Sequence, residues 1–244
     1  MRNIKLTLQY DGTNYHGWQT QENAVTVQEV VEKAIAAVIG ARPKLVGCGR
    51  TDSGVHAMRY VCNFKSETHI PERKLPLALN AHLPADIVCM AAEDVSADFD
   101  ARYSAKKKCY KYYIQNSQFP NVFRLNRIWH YPHPLDIEKM RHAAEAFLGE
   151  HDFIGFAARG FTVKTTVRTI YSIDISKKDD IIEISVCGNG FLYNMVRIIA
   201  GTLVFVGGGK LNPDDMSDII ASCDRKRAGM TAPAAGLYLS EVYY

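Results

Sequence analysis

Residues 4–10 read IKLTLQY, with Ile4, Leu6, Leu8 and Tyr10 alternating against Lys5, Thr7 and Gln9. A period of two is the mark of a strand with one face buried. The pattern then changes period. Thr26-Val27-Gln28-Glu29 has the spacing of a capping box, Val27, Val30, Val31, Ala34 and Val38 recur at helical intervals, and Gly40 with Pro43 ends the run. A short strand near Lys44 to Gly47 is followed by a second alternation at Met58, Tyr60, Cys62 and Phe64. A helix around residues 71–81, disturbed by Pro76, and an apolar segment from Ile87 to Ala91 complete a β-α-β-β-α-β order.

The rest of the chain repeats that order in elements, not in residues. Tyr110, Tyr112 and Ile114 share a strand face, a helix from Ile137 to Leu148 is capped by Asp136 and closed by Gly149, and strands follow near 168–176 and 181–187. An apolar helix spans about 191–206, and Asn212-Pro213 opens another with Asp214 and Asp215 in its first turn and Arg225 to Arg227 at its end. Leu237 to Tyr243 reads as a last strand. The expected class is α+β: two ferredoxin-like (βαββαβ) halves, residues 1–104 and 105–244, with the boundary near Ser104. Antiparallel sheets would join across a central cleft, with helices on the outer face and an open face for a ligand.

A chain of 244 residues, 47% hydrophobic and 23% charged, is long enough for one large domain or two ordinary ones and too apolar for disorder. MRNIKLTLQY has no apolar signal core, so a cytoplasmic protein is expected. The six cysteines at 48, 62, 89, 109, 187 and 223 form no CxxC pair and read as reduced and buried. The net charge of +3 says less than its distribution. Ala101 to Leu135 holds no acid and seven cations, Arg102, Lys106, Lys107, Lys108, Lys111, Arg124 and Arg127, with Tyr103, Tyr110, Tyr112 and Tyr113 among them. Phe153 to Ile173 is also acid-free and carries Arg159, Lys164 and Arg168. Between Lys33 and Ser66 six cations surround a single acid, Asp52.

Asp52 lies in GRTDSGVHA, residues 49–57. The preceding Gly47-Cys48-Gly49 starts like a dinucleotide fingerprint, but a carboxylate where the third glycine belongs would repel a pyrophosphate. Asp52-Ser53-Gly54 is also the triplet of aspartic proteases, whose chemistry needs a second carboxylate that this chain supplies only if it dimerises. A turn-capping Asx residue is the plainest alternative. A second isolated charge shifts the balance: from Ile184 to Gly209 the only charged residue is Arg197, inside GFLYNMVRIIAGTLVFV. Leu192, Met195, Val196, Ile199 and Leu203 make a buried stripe, and Ile198 and Phe205 widen it, so the guanidinium needs an anion, a helix-end carbonyl or an exit to water. Asp52 is a candidate partner. The breaks at Arg197 and glycine argue against a membrane span. Tyr110, in KKKCYKYY, either packs in the core or stacks on a base while the lysines follow a phosphate backbone. His130 and His133 form an HxxH without a glutamate base, and no metal is implied.

These residues converge on one family. The chain resembles TruA-type tRNA pseudouridine synthases over nearly its whole length. YDGTNYHGWQTQ (10–21) with TVQ (26–28), GRTDSGVHA, KKKCYKYYI, KTTVRTI (164–170), FLYNMVRIIAGTL (191–203) and APAAGLYLSEVYY follow in the family's order. The resemblance implies isomerisation of uridine to pseudouridine at positions 38, 39 and 40 of the tRNA anticodon stem-loop, without a metal, redox or nucleotide cofactor. It implies that Asp52 is the nucleophile, at ribose C1′ or uracil C6, and that Arg197 pairs with it. Arg50 would help extrude the base, and Tyr110 would stack on it. Lys106, Lys107, Lys108, Lys111, Lys164 and Arg168 then fall to substrate binding. The family is homodimeric, so a homodimer is expected. The loop 155–169 departs from the family's more usual serine-rich wording. The competing reading is a non-catalytic RNA-binding module on the same fold, which only turnover separates from the enzyme.

Overall fold

The computed structural model describes residues 1–158, 160 and 163–244; Arg159, Phe161 and Thr162, in the acid-free span noted above, lie outside the described residues. The chain divides into two compact units, Met1–Lys106 with Tyr238–Tyr244, and Lys107–Leu237.

In the first unit β1 (Arg2–Tyr10), α1 (Val27–Ile39), β2 (Val46–Gly47), β3 (His56–Ser66), α2 (Leu75–Asn80) and β4 (Ile87–Val95) follow in order, and β10 (Leu237–Tyr243) joins them. Within this unit β4, β1, β3 and β10 are neighbours in that order, and β2 pairs with β3. The β1–β3 register sets Ile4 opposite Phe64, Leu6 opposite Cys62 and Leu8 opposite Tyr60; an irregularity then brings Tyr10 against Ala57, not Met58. Such a bulge re-aims the strand end, and here it lies where the chain turns towards Asp52. Tyr60, Phe64, Ile4, Leu6, Leu8, Ile35, Leu75 and Leu79 are nearly fully buried. Each large apolar side chain so placed contributes about 1.5–3 kcal/mol.

Several expectations for this unit are corrected. Thr26 stands at the N-cap of α1 without a side-chain cap bond, and Glu29 pairs with Lys33 at 2.6 Å, so no capping box forms. The α1 N–H groups of Val27 and Gln28 go instead to the carbonyls of Gly17 and Trp18. The buried stripe of α1 includes Glu32 and Ile35 in place of Val30 and Val38. Glu32 is tolerated there because Arg42 (2.9 and 2.7 Å) and Gln28 (2.8 Å) donate to it. Pro76 falls at the start of α2, where its missing N–H costs nothing. The polar face of β1 is partly covered: Asn3 is 4% exposed, donates to the carbonyls of Ser96 and Phe99, and accepts from Asn63.

The second unit contains β5 (Lys107–Gln115), β6 (Trp129–His130), α3 (Ile137–Glu145), β7 (Gly149–Asp152), β8 (Val167–Lys178), β9 (Ile181–Gly188), α4 (Met195–Gly207) and α5 (Met216–Ala221). Its sheet runs β5-β9-β8-β7, with β6 beside β5. Tyr112 opposes Ile184 and Ile114 opposes Ile182, which aligns the apolar faces of β5 and β9. All residues of α4 except Arg197 and Phe205 are buried, so the helix is enclosed on nearly all sides. Asp136 caps α3 through the Lys139 N–H (3.1 Å), but α3 ends at Glu145 and Gly149 opens the unforeseen β7. α5 ends at Ala221, before Arg225 to Arg227. The expectation of reduced, buried cysteines holds for Cys48, Cys62 and Cys89 and is corrected for the other three. Cys109 and Cys187, directly opposite on β5 and β9, form a disulfide, and Cys223 is exposed. Among the described residues no helix is long and apolar enough to cross a membrane.

Candidate active site

Asp52 lies on the connection between β2 and β3, half-buried, with exposed Arg50 two residues before it. Residues 10–18, leaving β1, hold this connection from both sides of Asp52. The Trp18 N–H donates to the Thr51 carbonyl (3.1 Å), and the hydroxyls of Tyr10 and Thr51 are 2.9 Å apart. Beyond Asp52, the Gly54 N–H (3.2 Å) and the Ser53 hydroxyl (3.3 Å) both donate to the Tyr15 carbonyl. The Val55 N–H returns to the Asp52 carbonyl (3.1 Å), and Nδ1 of buried His56 accepts the Gly12 N–H (3.0 Å). Backbone fixed one residue before and one residue after a carboxylate sets the direction of its side chain.

An aromatic cluster underlies the loop. Trp18 stacks on Tyr60 with ring centroids 3.9 Å apart, Tyr10 stands 5.7 Å from Tyr60, and the Tyr60 hydroxyl donates to the Gly49 carbonyl at 2.5 Å. Burial pushes the Tyr60 phenol well above its ordinary range, so it remains a donor. The close approach demands glycine at position 17: at φ +81°, a β-carbon there would meet the Thr51 carbonyl oxygen and lie 3.1 Å from the Asp52 carbonyl carbon.

In the second unit the connection 188–194, from β9 to α4, gathers Tyr110, Arg168 and Arg197. Tyr110, opposite Val186, presents its ring to Phe191 edge-on, with centroids 5.1 Å apart. Arg168 on β8 donates to the carbonyls of Thr165 (2.9 Å) and Val167 (2.6 Å), and its Nε stands 3.7 Å from where a Gly190 β-carbon would be. Burial lowers the Arg168 pKa, and a guanidinium remains charged nonetheless. Arg197, in the first turn of α4, donates from Nη1 to Asn194 Oδ1 and from Nε to the Ala232 carbonyl, each at 2.8 Å. Asn194 holds the turn in the left-handed region at φ +60°. The Tyr112 phenol is raised by burial, and the charge of Arg197 opposes that rise.

The lysines are more dispersed than their spacing in sequence. Lys106 is exposed and belongs to the first unit, whereas Lys107 and Lys108 begin β5 half-buried in the second. Lys111 is ion-paired with Glu183 at 2.8 Å on the sheet. Lys164 is exposed ahead of β8. His130 donates from Nε2 to the Ser117 carbonyl (2.8 Å), and His133 packs on Tyr131. No group of three potential metal ligands occurs among the described residues. Sequence reasoning missed the grip of Tyr10, Tyr15, Trp18, Thr51 and Tyr60 on the Asp52 loop. Its signal was the density of glycine and aromatic residues in YDGTNYHGW.

The profile described as tRNA pseudouridine synthase matches residues 7–104 and 143–244. The chain is 54% identical over 244 residues to tRNA pseudouridine synthase A of Thermoanaerobacter sp. (strain X514), covering 100% of both. It is 52% identical, again over 100% of both chains, to tRNA pseudouridine synthase A of Acetivibrio thermocellus. The protein of that name from Clostridium acetobutylicum is 48% identical with the same coverage.

Proposed function

The chain belongs to the tRNA pseudouridine synthase family, and from that premise we propose that it converts uridine to pseudouridine at positions 38, 39 and 40 of the tRNA anticodon stem-loop with Asp52 as nucleophile. It is an isomerase acting on tRNA. The N1–C1′ bond breaks, a C1′–C5 bond forms, the C5 proton leaves and N1 gains one, so product and substrate have the same composition and no redox partner enters. A carboxylate suits the exchange because it attacks in one step and leaves in the other. The observation that carries the assignment is the loop itself: the lone acid of residues 33–66, half-buried, on backbone fixed at Thr51 and at Ser53–Gly54.

In this reading Arg197 keeps Asp52 ionised, since a nearby cation lowers a carboxylate pKa. Its placement as the one charge in an enclosed helix, with two N–H groups directed by Asn194 and Ala232, supports that role. Tyr110 stacks on the target uracil after base flipping, Arg50 assists extrusion, and Lys106, Lys107, Lys108, Lys111, Lys164 and Arg168 contact phosphate. Residues 1–104 and 105–244 are taken as the two domains, each ferredoxin-like; β4-β1-β3 with β2 beside β3, and β5-β9-β8, support this. A cytoplasmic homodimer is the expected form, and sedimentation at micromolar concentration tests it.

The deciding experiment is tritium release from C5-labelled uridine in an anticodon stem-loop RNA. Wild-type protein is expected to release tritium and Asp52→Asn to bind the RNA without releasing any. Wild-type release by Asp52→Asn would overturn the nucleophile assignment, and no release by the native protein would favour RNA binding without chemistry.

A further inference from the structure

Tyr15 sits in the opening segment, 37 positions before Asp52 in the chain, and is 5% exposed. Its backbone carbonyl accepts from Gly54 N–H (3.2 Å) and from Ser53 Oγ (3.3 Å), the two residues that follow Asp52. Its own N–H closes a tight turn on the Gly12 carbonyl (3.0 Å). At the other end of the side chain, the hydroxyl donates to Asp86 Oδ1 at 2.6 Å. Asp86 immediately precedes β4 and holds the same segment twice more: its carbonyl accepts the Asp11 N–H (2.9 Å) and its Oδ2 the Asn14 side chain (3.3 Å). Burial and the Asp86 carboxylate both push the Tyr15 phenol above its ordinary range, which keeps the proton on the donor.

We propose that Tyr15 is a positioning residue for the reaction: seated on Asp86 through its hydroxyl, it fixes where its own carbonyl stands, and that carbonyl holds the Ser53–Gly54 turn that aims Asp52. The proposal rests on the reading of Asp52 as the nucleophile. A hydroxyl that served packing alone would matter to stability; one that sets the aim of a carboxylate matters to the rate, because displacements of about 1 Å at a reacting group cost up to about 100-fold.

The test is a double-mutant cycle of Tyr15→Phe and Asp86→Ala, assayed by tritium release well below the unfolding midpoint of every variant. Each single change is expected to lower kcat at least about tenfold with KM for the stem-loop RNA within about twofold, and the pair to lose no more than either alone. Asp86→Asn, which keeps an acceptor for the hydroxyl, is expected to retain most of the rate. Unchanged kcat in Tyr15→Phe, or losses that add in the pair, would overturn the proposal. If Tyr15→Phe does not fold, the contrast between Asp86→Ala and Asp86→Asn decides, equal rates overturning it. Asp52→Asn run alongside separates the two ideas: turnover by that variant removes the nucleophile and this proposal together, whereas an inactive Asp52→Asn with an unaffected Tyr15→Phe removes this proposal alone.

Discussion

Gly17 and Thr51 approach so closely that no β-carbon fits between them, and Gly17 does so at φ +81°. Thr51 adjoins Asp52, so this contact couples the opening segment directly to the candidate nucleophile. Gly17→Ala is expected to lose at least about tenfold in turnover and to destabilise by more than the roughly 1–2 kcal/mol of left-handed backbone alone. Gly40, the C-cap of α1 at φ +76°, has nothing within 4 Å of a built β-carbon. Gly40→Ala therefore carries only the backbone cost and leaves turnover unchanged. Urea unfolding and tritium release on both variants check the contrast.

Arg197→Lys keeps the charge but removes the planar fork that serves Asn194 and Ala232. The expected result is a stability loss of about 1 kcal/mol from the lost directed bonds and a fall in kcat of at least about tenfold, with KM little changed. Steady-state kinetics on the stem-loop RNA measure both; full turnover would leave the fork without a catalytic role.

Thiol labelling checks the cysteine assignment. Cys109 and Cys187 are joined, Cys48, Cys62 and Cys89 are buried, and Cys223 is exposed. Native protein treated with iodoacetamide is expected to gain adducts at Cys223. Unfolding without reductant should expose Cys48, Cys62 and Cys89 as well, and only prior reduction should add Cys109 and Cys187, each step read by intact-mass and peptide spectrometry. Reduction is expected to lower stability by about 2–4 kcal/mol, typical for such a cross-link.

Alkaline pH should weaken the first unit. Burial pushes the Cys89 thiol from 9.0 up to about 12 and raises the Cys62 thiol and the Tyr60 phenol well above their ordinary values. Because the folded values are the higher ones, the unfolded chain loses these protons first. For Cys89 that contribution to stability is complete below about pH 9 and is lost progressively as pH rises towards about 12. For Cys89 alone the loss is on the order of 2 kcal/mol near pH 11. Cys89→Ala should make the fall of the unfolding midpoint shallower above about pH 9, and an unchanged slope would contradict the buried thiol's role.

Most secondary elements were legible because period and punctuation are local properties. The alternation of Ile4 to Tyr10 and the stop at Gly40 correspond to β1 and to the αL cap of α1. Errors arose where a partner distant in sequence took over a local role. Thr26 has a capping residue's position, yet the carbonyls of Gly17 and Trp18 receive the first N–H groups of α1. Glu32, a charge outside the apolar spacing of that helix, is buried because Arg42 and Gln28 donate to its carboxylate.

By itself the sequence determined the class of fold, the isolation of Asp52 and Arg197 as single charges in their stretches, and the family wording around them. These depend on residue type and spacing along one chain. Tertiary structure alone decided that residues 10–18 grip the Asp52 loop, that Asp86 seats Tyr15, and that Cys109 opposes Cys187. Each is a matter of register or of approach between segments tens of residues apart. A hydrogen bond of about 3 Å is made or lost by displacements that no pattern in composition records.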